Sequence, residues 1–303
     1  MAKENPDKPL PPGTIEHELG LPLPGAILPP EKWTVSALRD WPPGGVVDWE
    51  GLFGRRAPVV VDVGCGNGRS VLLGAITHPE QDFLGLDNLP LVIRYARKRA
   101  RQRGLGNVRF AVADARTALG LHLPAGTVSQ VHIYHPQPYY EPRQANRRLI
   151  TPEFLLAVHR LLAPGGLLVI QTDNPAYWQY IRQVAPAFFD FQEHPGPWED
   201  APEGRSRREI MARRQGLPIF RGAGRARTDI DPSAARDLAA QLPPPAFNAD
   251  RRLMALDELE AAGLGGDAPG SAQETGVVRR TGPANPQRRK KIWRRRSRKD
   301  RGL

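Results

Sequence analysis

Three aspartates and three glycines carry the first chemical signal of this chain. In DVGCGNGRS, Asp62 closes a β-branched apolar run, and Gly64, Gly66 and Gly68 follow at alternate positions before a helix-like stretch. Glycines placed so let the backbone turn tightly and come close to a ligand. A dinucleotide fingerprint sets its third glycine three residues after the second; here it comes two after, so no pyrophosphate grip is indicated. Asp62 instead suits a cationic amino group. Asp87 ends the next short apolar run, 19 residues after Gly68, where a carboxylate can accept from both ribose hydroxyls. Asp114, in VADA, ends a third run and is placed to meet an adenine amino group. Amine, ribose and adenine together describe S-adenosylmethionine. A glycine run alone can be a plain strand-to-helix turn, but Asp is disfavoured in strands and has no packing reason to recur at three successive ends.

A second chemical stretch is IYHPQPYYEPRQANRRL, residues 133–149, which reads as the lip of a site. Tyr139 or Tyr140 could stack on an unstacked base, or form only the amphipathic rim of a surface loop. Arg143, Arg147 and Arg148 are natural phosphate contacts. A further basic run, RYARKRARQR, puts Arg94, Arg97 and Arg101 on one helical face, where a solvated surface is the expectation.

The elements that must position these groups alternate. APVVVDVG, DFLGLD, NVRFAVADA, TVSQVHIYH and LLVIQTD read as strands; SVLLGAITH, LVIRYARKRARQRG and TPEFLLAVHRLL read as helices between them. The implied fold class is α/β, a doubly wound, mostly parallel sheet whose ligand edge lies at the strand carboxyl ends. PIFRGAGR, residues 218–225, is a candidate late edge strand. Residues 1–53, with ten prolines in the first 50, read as a loosely ordered lead-in that lies along the domain; residues 54–225 form the domain. Residues 226–303 read as a disordered extension holding one short helix in DRRLMALDELEAAG.

Charge is uneven. The net charge is +11, and the tail RRKKIWRRRSRKDRGL, residues 288–303, holds ten Lys or Arg against one Asp, so +9 of it sits there. Such a block favours polyanions by counterion release, or serves only as a solubilising tail. Arg outnumbers Lys 36 to 7, which suits bidentate phosphate contacts. The only cysteine, Cys65, can form no internal disulfide and reads as a small filler between glycines. No stretch approaches ~18 consecutive apolar residues and MAKENPDKPL has no apolar segment, so the expectation is a cytosolic protein with neither membrane span nor secretory leader.

From about Val59 to about Arg221 the chain resembles the bacterial tRNA (guanine-N7-)-methyltransferase family. The resemblance is carried in order by HPEQDFLGLD, NVRFAVADA, RRLITPEFL, LAPGGLLVIQTDN, and SRRE followed by QGLPIF. It implies a seven-stranded Rossmann-like methyltransferase sheet, S-adenosylmethionine as cofactor, and methyl transfer to N7 of a variable-loop guanine in tRNA. The family lip is Pro-Asp-Pro-Trp followed by basic residues; here Gln137 stands at the Asp, Tyr139 at the Trp and Glu141 at the first Lys. The resemblance gives Asp173 a substrate-contacting role and matches Ser206 and Glu209 to a Thr and a Glu near the end of the family's domain. Gln137 can accept one hydrogen bond and offer an amide to guanine O6, and Asp173 or Glu141 could take up the guanine edge that a lip Asp would hold. Two rival readings stay open: a catalytically silent RNA-binding relative, and a methyltransferase with a different base or a small molecule as acceptor. Oligomeric state is not legible.

Overall fold

The computed structural model describes residues 10–38 and 45–263. The basic tail, residues 288–303, lies outside them, as do residues 1–9 and 39–44 of the Pro-rich lead-in.

The described chain begins with a hairpin of β1 (His17–Glu18) and β2 (Leu21–Pro22), then a short α1 (Trp49–Phe53). Next come β3 (Val59–Val63), α2 (Arg69–Thr77), β4 (Asp82–Asp87), α3 (Pro90–Gln102) and β5 (Val108–Val112). One helical turn, α4 (Ala115–Thr117), runs on into a π-helical turn before β6 (Val128–Tyr134). The second half holds α5 (Pro152–Leu161), β7 (Leu162–Thr172), α6 (Pro175–Val184) and β8 (Phe189–Glu193), followed by α7 (Arg207–Arg214) and β9 (Phe220–Ala226). Finally α8 (Ala235–Gln241) and α9 (Met254–Gly263) close the described chain.

Seven strands form one sheet in the order β5-β4-β3-β6-β7-β9-β8. The pairs among β5, β4, β3, β6 and β7 are parallel, and β9 pairs antiparallel with both β7 and β8. The order in which strands are added reverses between β3 and β6, which opens a crevice at their carboxyl ends. β3 is buried throughout because each face is covered: Val59, Val61 and Val63 enter the core shared with α5, α6 and α8, while Val60 enters the core shared with α2 and α3. Side chains of Thr151, Asn174 and Ser206 cap α5, α6 and α7, and prolines occupy the first turn of α5 and α6.

Four expectations need correction. The stretch at 218–225 is an interior strand, β9, and the sheet edge is β8, whose FDFQE carries too little apolar alternation to stand out. The lead-in is packed where it is described. Leu23 and Ile27 are buried, Glu16 pairs with Arg99 at 2.9 Å and with Arg103 at 3.2 Å, and Ser36 and Leu38 hydrogen-bond Phe110, covering the open edge of β5. The arginines of α3 are only in part a solvated row: Arg97 is half-buried and donates to the carbonyls of Leu38 and Phe110, whereas Arg94 and Arg101 are exposed, Arg101 lying over Trp33. Residues 226–263 are likewise ordered against the sheet, with Ala235, Ala239 and Leu256 buried; the short helix expected in DRRLMALDELEAAG is α9. No helix of the described residues is long and apolar enough to cross a membrane.

Candidate functional site

A cleft of ≈ 420 Å³ opens at the carboxyl ends of β3, β4, β5 and β6. Its floor is the loop after β3, where Gly64, Gly66 and Gly68 adopt φ of 76°, 53° and 82°. A side chain at Gly64 or Gly66 would be strained by that backbone, yet a Cβ there would meet no atom within 4 Å, so both glycines face open space.

Asp62, Asp87 and Asp114 all line this cleft. Asp62 is 2% exposed; its Oδ2 accepts from the Ser70 hydroxyl, and its Oδ1 is buried with no hydrogen-bond partner. Burial pushes its carboxyl up to about 7, against the opposing Ser70 hydrogen bond. A buried acceptor without a donor is costly unless a ligand supplies one, and a cationic amino group would both satisfy Oδ1 and favour ionisation. Asp87 accepts from the backbone of Gly66 at 3.0 Å and of Leu89 at 2.9 Å, which fixes its orientation at the end of β4; burial raises its pKa. Asp114 is exposed and caps α4 with Oδ1, accepting from Thr117 N at 2.9 Å. Cys65 is a buried filler against the core beneath the loop.

The opposite wall is the lip. Gln137 is exposed and Tyr139 half-buried, and both line the cleft. His135 and Tyr139 hold φ of 50° and 42°, left-handed values that cost of the order of 1 kcal/mol each for such side chains. Arg148 holds the lip in that shape from behind. Its side chain is fully buried and donates to the carbonyls of Pro138 (2.6 Å) and Tyr139 on the lip, and of Pro245 and Phe247 (2.8 Å) on the C-terminal segment. Its guanidinium also lies 3.6 Å from the Phe247 ring centroid. The phosphate role expected for Arg148 is therefore overturned: every face of the group is spent inside the protein. Arg147 next to it is exposed, stacks over Tyr139 at 4.6 Å and lines the cleft. Arg143 is exposed but pairs with Glu141.

Three other expected substrate contacts are also placed differently. Glu141 does not line the cleft; it starts a 3-10 turn over Pro142–Arg147 and is engaged by Arg143 and by Arg251 at 3.2 Å. Asp173 sits behind the cleft wall, 4% exposed, 2.7 Å from Arg208 Nε and 3.4 Å from His135 Nδ1. Burial alone would push its carboxyl up, but His135 and Arg208 overcome this and hold it well below the usual range. Glu209 is fully buried, accepting from Arg221 at 2.5 Å, Gln171 at 2.9 Å and the backbone of Arg205 at 2.9 Å. Its role is to tie α7 to β7 and β9. Ser206 lines the cleft while its hydroxyl caps α7, accepting from Glu209 N at 3.1 Å.

Sequence reasoning missed four contributors: His135, Arg208, Asp257 and Glu260 all line the cleft. Asp257 and Glu260 come from α9, outside the matched motifs. Arg208 binds both, and Asp257 also accepts from the Tyr140 hydroxyl, so Tyr140 points away from a stacking role. The spacing of two acids one helical turn apart was the only available signal, and an exposed helix face would give it equally.

A family model described as a putative methyltransferase matches residues 56–221. The tRNA (guanine-N(7)-)-methyltransferase of Alkalilimnicola ehrlichii is 37% identical over 185 residues, covering 61% of this chain and 78% of the relative. That of Halorhodospira halophila is 35% identical over 178 residues, covering 59% and 77%. Among solved structures, the 16S rRNA methyltransferase KamB aligns at 19% identity with a TM-score of 0.46, over 60% of this chain and 94% of that one.

Proposed function

The chain belongs to the tRNA (guanine-N7-)-methyltransferase family, and from that membership we propose that it transfers a methyl group from S-adenosylmethionine to N7 of a guanine in tRNA, in the variable loop. The observation that carries the reading is the cleft floor: a buried, donorless Asp62 Oδ1 beside two glycines that face open space. Bound there, the cofactor supplies an electrophilic methyl on a sulfonium sulfur. Asp62 holds its amino group, Asp87 its ribose hydroxyls, and Asp114 its adenine amine through the carboxylate oxygen that does not cap α4.

The chain's remaining task is placement. Guanine N7 carries a lone pair at neutral pH, so the reaction needs no proton removed, and holding N7 in line with the methyl provides most of the acceleration. The lip provides a wall for the base: Tyr139 is backed by Arg147, and Gln137 can donate to O6. Arg147 and Arg143 lie on the exposed rim, where phosphates of a folded RNA can reach them.

The test is binding followed by turnover. Asp87→Ala should weaken cofactor binding by roughly one to two decades, from loss of charge-assisted hydrogen bonds worth ~1.5 to 3 kcal/mol. Equal calorimetric affinity for the two proteins removes Asp87 from the site; binding without any transfer to tRNA favours an RNA-binding protein without activity.

A further inference from the structure

The lip presents a problem of recognition that rests on the reading above. Guanine differs from adenine on its Watson–Crick edge by N1–H and N2–H, two donors that a single carboxylate can accept together. Gln137, the lip residue where the family has Asp, has no carboxylate. Asp173 and Glu141 cannot stand in, since neither lines the cleft and each is held by cationic partners. Asp62, Asp87 and Asp114 line its cofactor half. The remaining acids of the cleft are Asp257 and Glu260 of α9.

These two acids are engaged unequally. Asp257 uses both oxygens, accepting from Arg208 through Oδ1 and from Tyr140 through Oδ2. It fastens α9 to the lip and to α7, with Leu256 buried beside Met211 and Ala212 as the apolar half of the attachment. Glu260 is held only through Oε2, at 3.3 Å from Arg208, and among the described residues its Oε1 has no partner. α9 thus lays a partly exposed carboxylate, oriented by one arginine, along the same cleft as Gln137 and Tyr139.

We infer that Glu260 is the specificity-determining residue for the base: its carboxylate accepts from guanine N1–H and N2–H, in the place of the acid that the lip lacks. Asp257 and Arg208 position it. Methylation at N7 leaves a positive charge on the guanine ring, which strengthens both hydrogen bonds, so the contact is tighter after transfer begins than before. The acceptor acid has in effect moved from the lip to a C-terminal helix beyond the matched region, residues 56–221.

The experiment compares the full-length protein with Glu260→Gln, and with Glu258→Gln as a control from the exposed face of the same helix. Each is assayed on a tRNA transcript carrying guanine at the modified position and on one carrying inosine, which keeps N1–H and N7 but lacks the 2-amino group. The wild type and the control should prefer guanine by roughly tenfold or more, the range for one charge-assisted hydrogen bond. Glu260→Gln should lose ten- to a hundredfold in kcat/KM on guanine, and its preference over inosine should shrink to about threefold or less. Its cofactor affinity and melting temperature should match the wild type. A Glu260→Gln enzyme that keeps the full preference overturns the inference and leaves the proposed reaction standing, as does a wild type indifferent to inosine. A wild type that methylates neither transcript removes the proposed function, and the inference falls with it.

Discussion

Arg148→Lys separates the two roles that an arginine beside the lip can have. As a phosphate contact, the site would tolerate Lys, because a point charge serves a phosphate nearly as well. As a buried clamp it would not. The guanidinium donates to four carbonyls on two separate segments and packs on Phe247, a geometry that one ammonium cannot reproduce. Losing three such hydrogen bonds at about 1 kcal/mol each, with a buried charge left poorly matched, amounts to about 3 to 5 kcal/mol. In a fold of this size that lowers the melting temperature by roughly 6 to 20 °C. The assay is thermal unfolding together with RNA affinity at several salt concentrations. The account predicts a large drop in melting temperature and, at temperatures where the variant is folded, an unchanged slope of log K against log salt. An unchanged melting temperature, with RNA affinity and salt slope retained as a phosphate contact would allow, would refute it and return Arg148 to the phosphate role.

Asp62 makes the protein pH-sensitive without cofactor. Burial holds its folded pKa at about 7, well above the ordinary carboxylate range, so the stability it contributes is full below about pH 4 and is lost as pH rises through 7. Asp62→Asn should flatten the melting temperature of the cofactor-free protein between pH 4 and 8 while weakening cofactor binding tenfold or more; wild-type cofactor affinity should rise from pH 6 to 8, and calorimetry at both pH values checks this. Gln137→Asp returns an acid to the lip, so it should restore at least part of the transfer lost in Glu260→Ala, and a double variant no better than Glu260→Ala would count against a shared acceptor site. Deleting residues 288–303 removes ten cations and none of the described cleft residues; if four engage duplex RNA the salt slope should change by about 3 to 4 units with kcat nearly constant, whereas superimposable slopes would make the tail a solubilising appendage.

The parallel half of the sheet was legible because strands buried on both faces appear as continuous apolar runs, VVVDV being the plainest, and because Thr151-Pro152 announces the start of α5. The antiparallel corner was not. β8 is mostly polar and gave no strand signal, and β9 was legible as a strand but not as an interior one: Gly222, where a Cβ would lie 2.6 Å from the Phe191 ring, is what allows its close pairing with β8. At the cofactor end, three acids at strand termini are a pattern fixed by topology, and all three do line the cleft. At the acceptor end the fate of a charged residue depends on long-range partners. Arg147 and Arg148 are neighbours of one type, yet one is exposed and the other is swallowed by carbonyls about a hundred residues away. Composition gave no warning that a Pro- and Ala-rich segment would supply those carbonyls, nor that α9 would bring two acids to the site.

The central claim is a particular atom on a particular base, and one measurement addresses it. Purified full-length protein is incubated with S-adenosylmethionine carrying a labelled methyl group and unmodified tRNA, and the labelled nucleoside is identified and placed in the sequence by cleavage at N7-methylated guanine. The account predicts label in 7-methylguanosine alone, at one variable-loop position, and none in the tRNA with Asp62→Ala protein. Label in any other nucleoside, or binding of cofactor and tRNA with no label transferred, would contradict it.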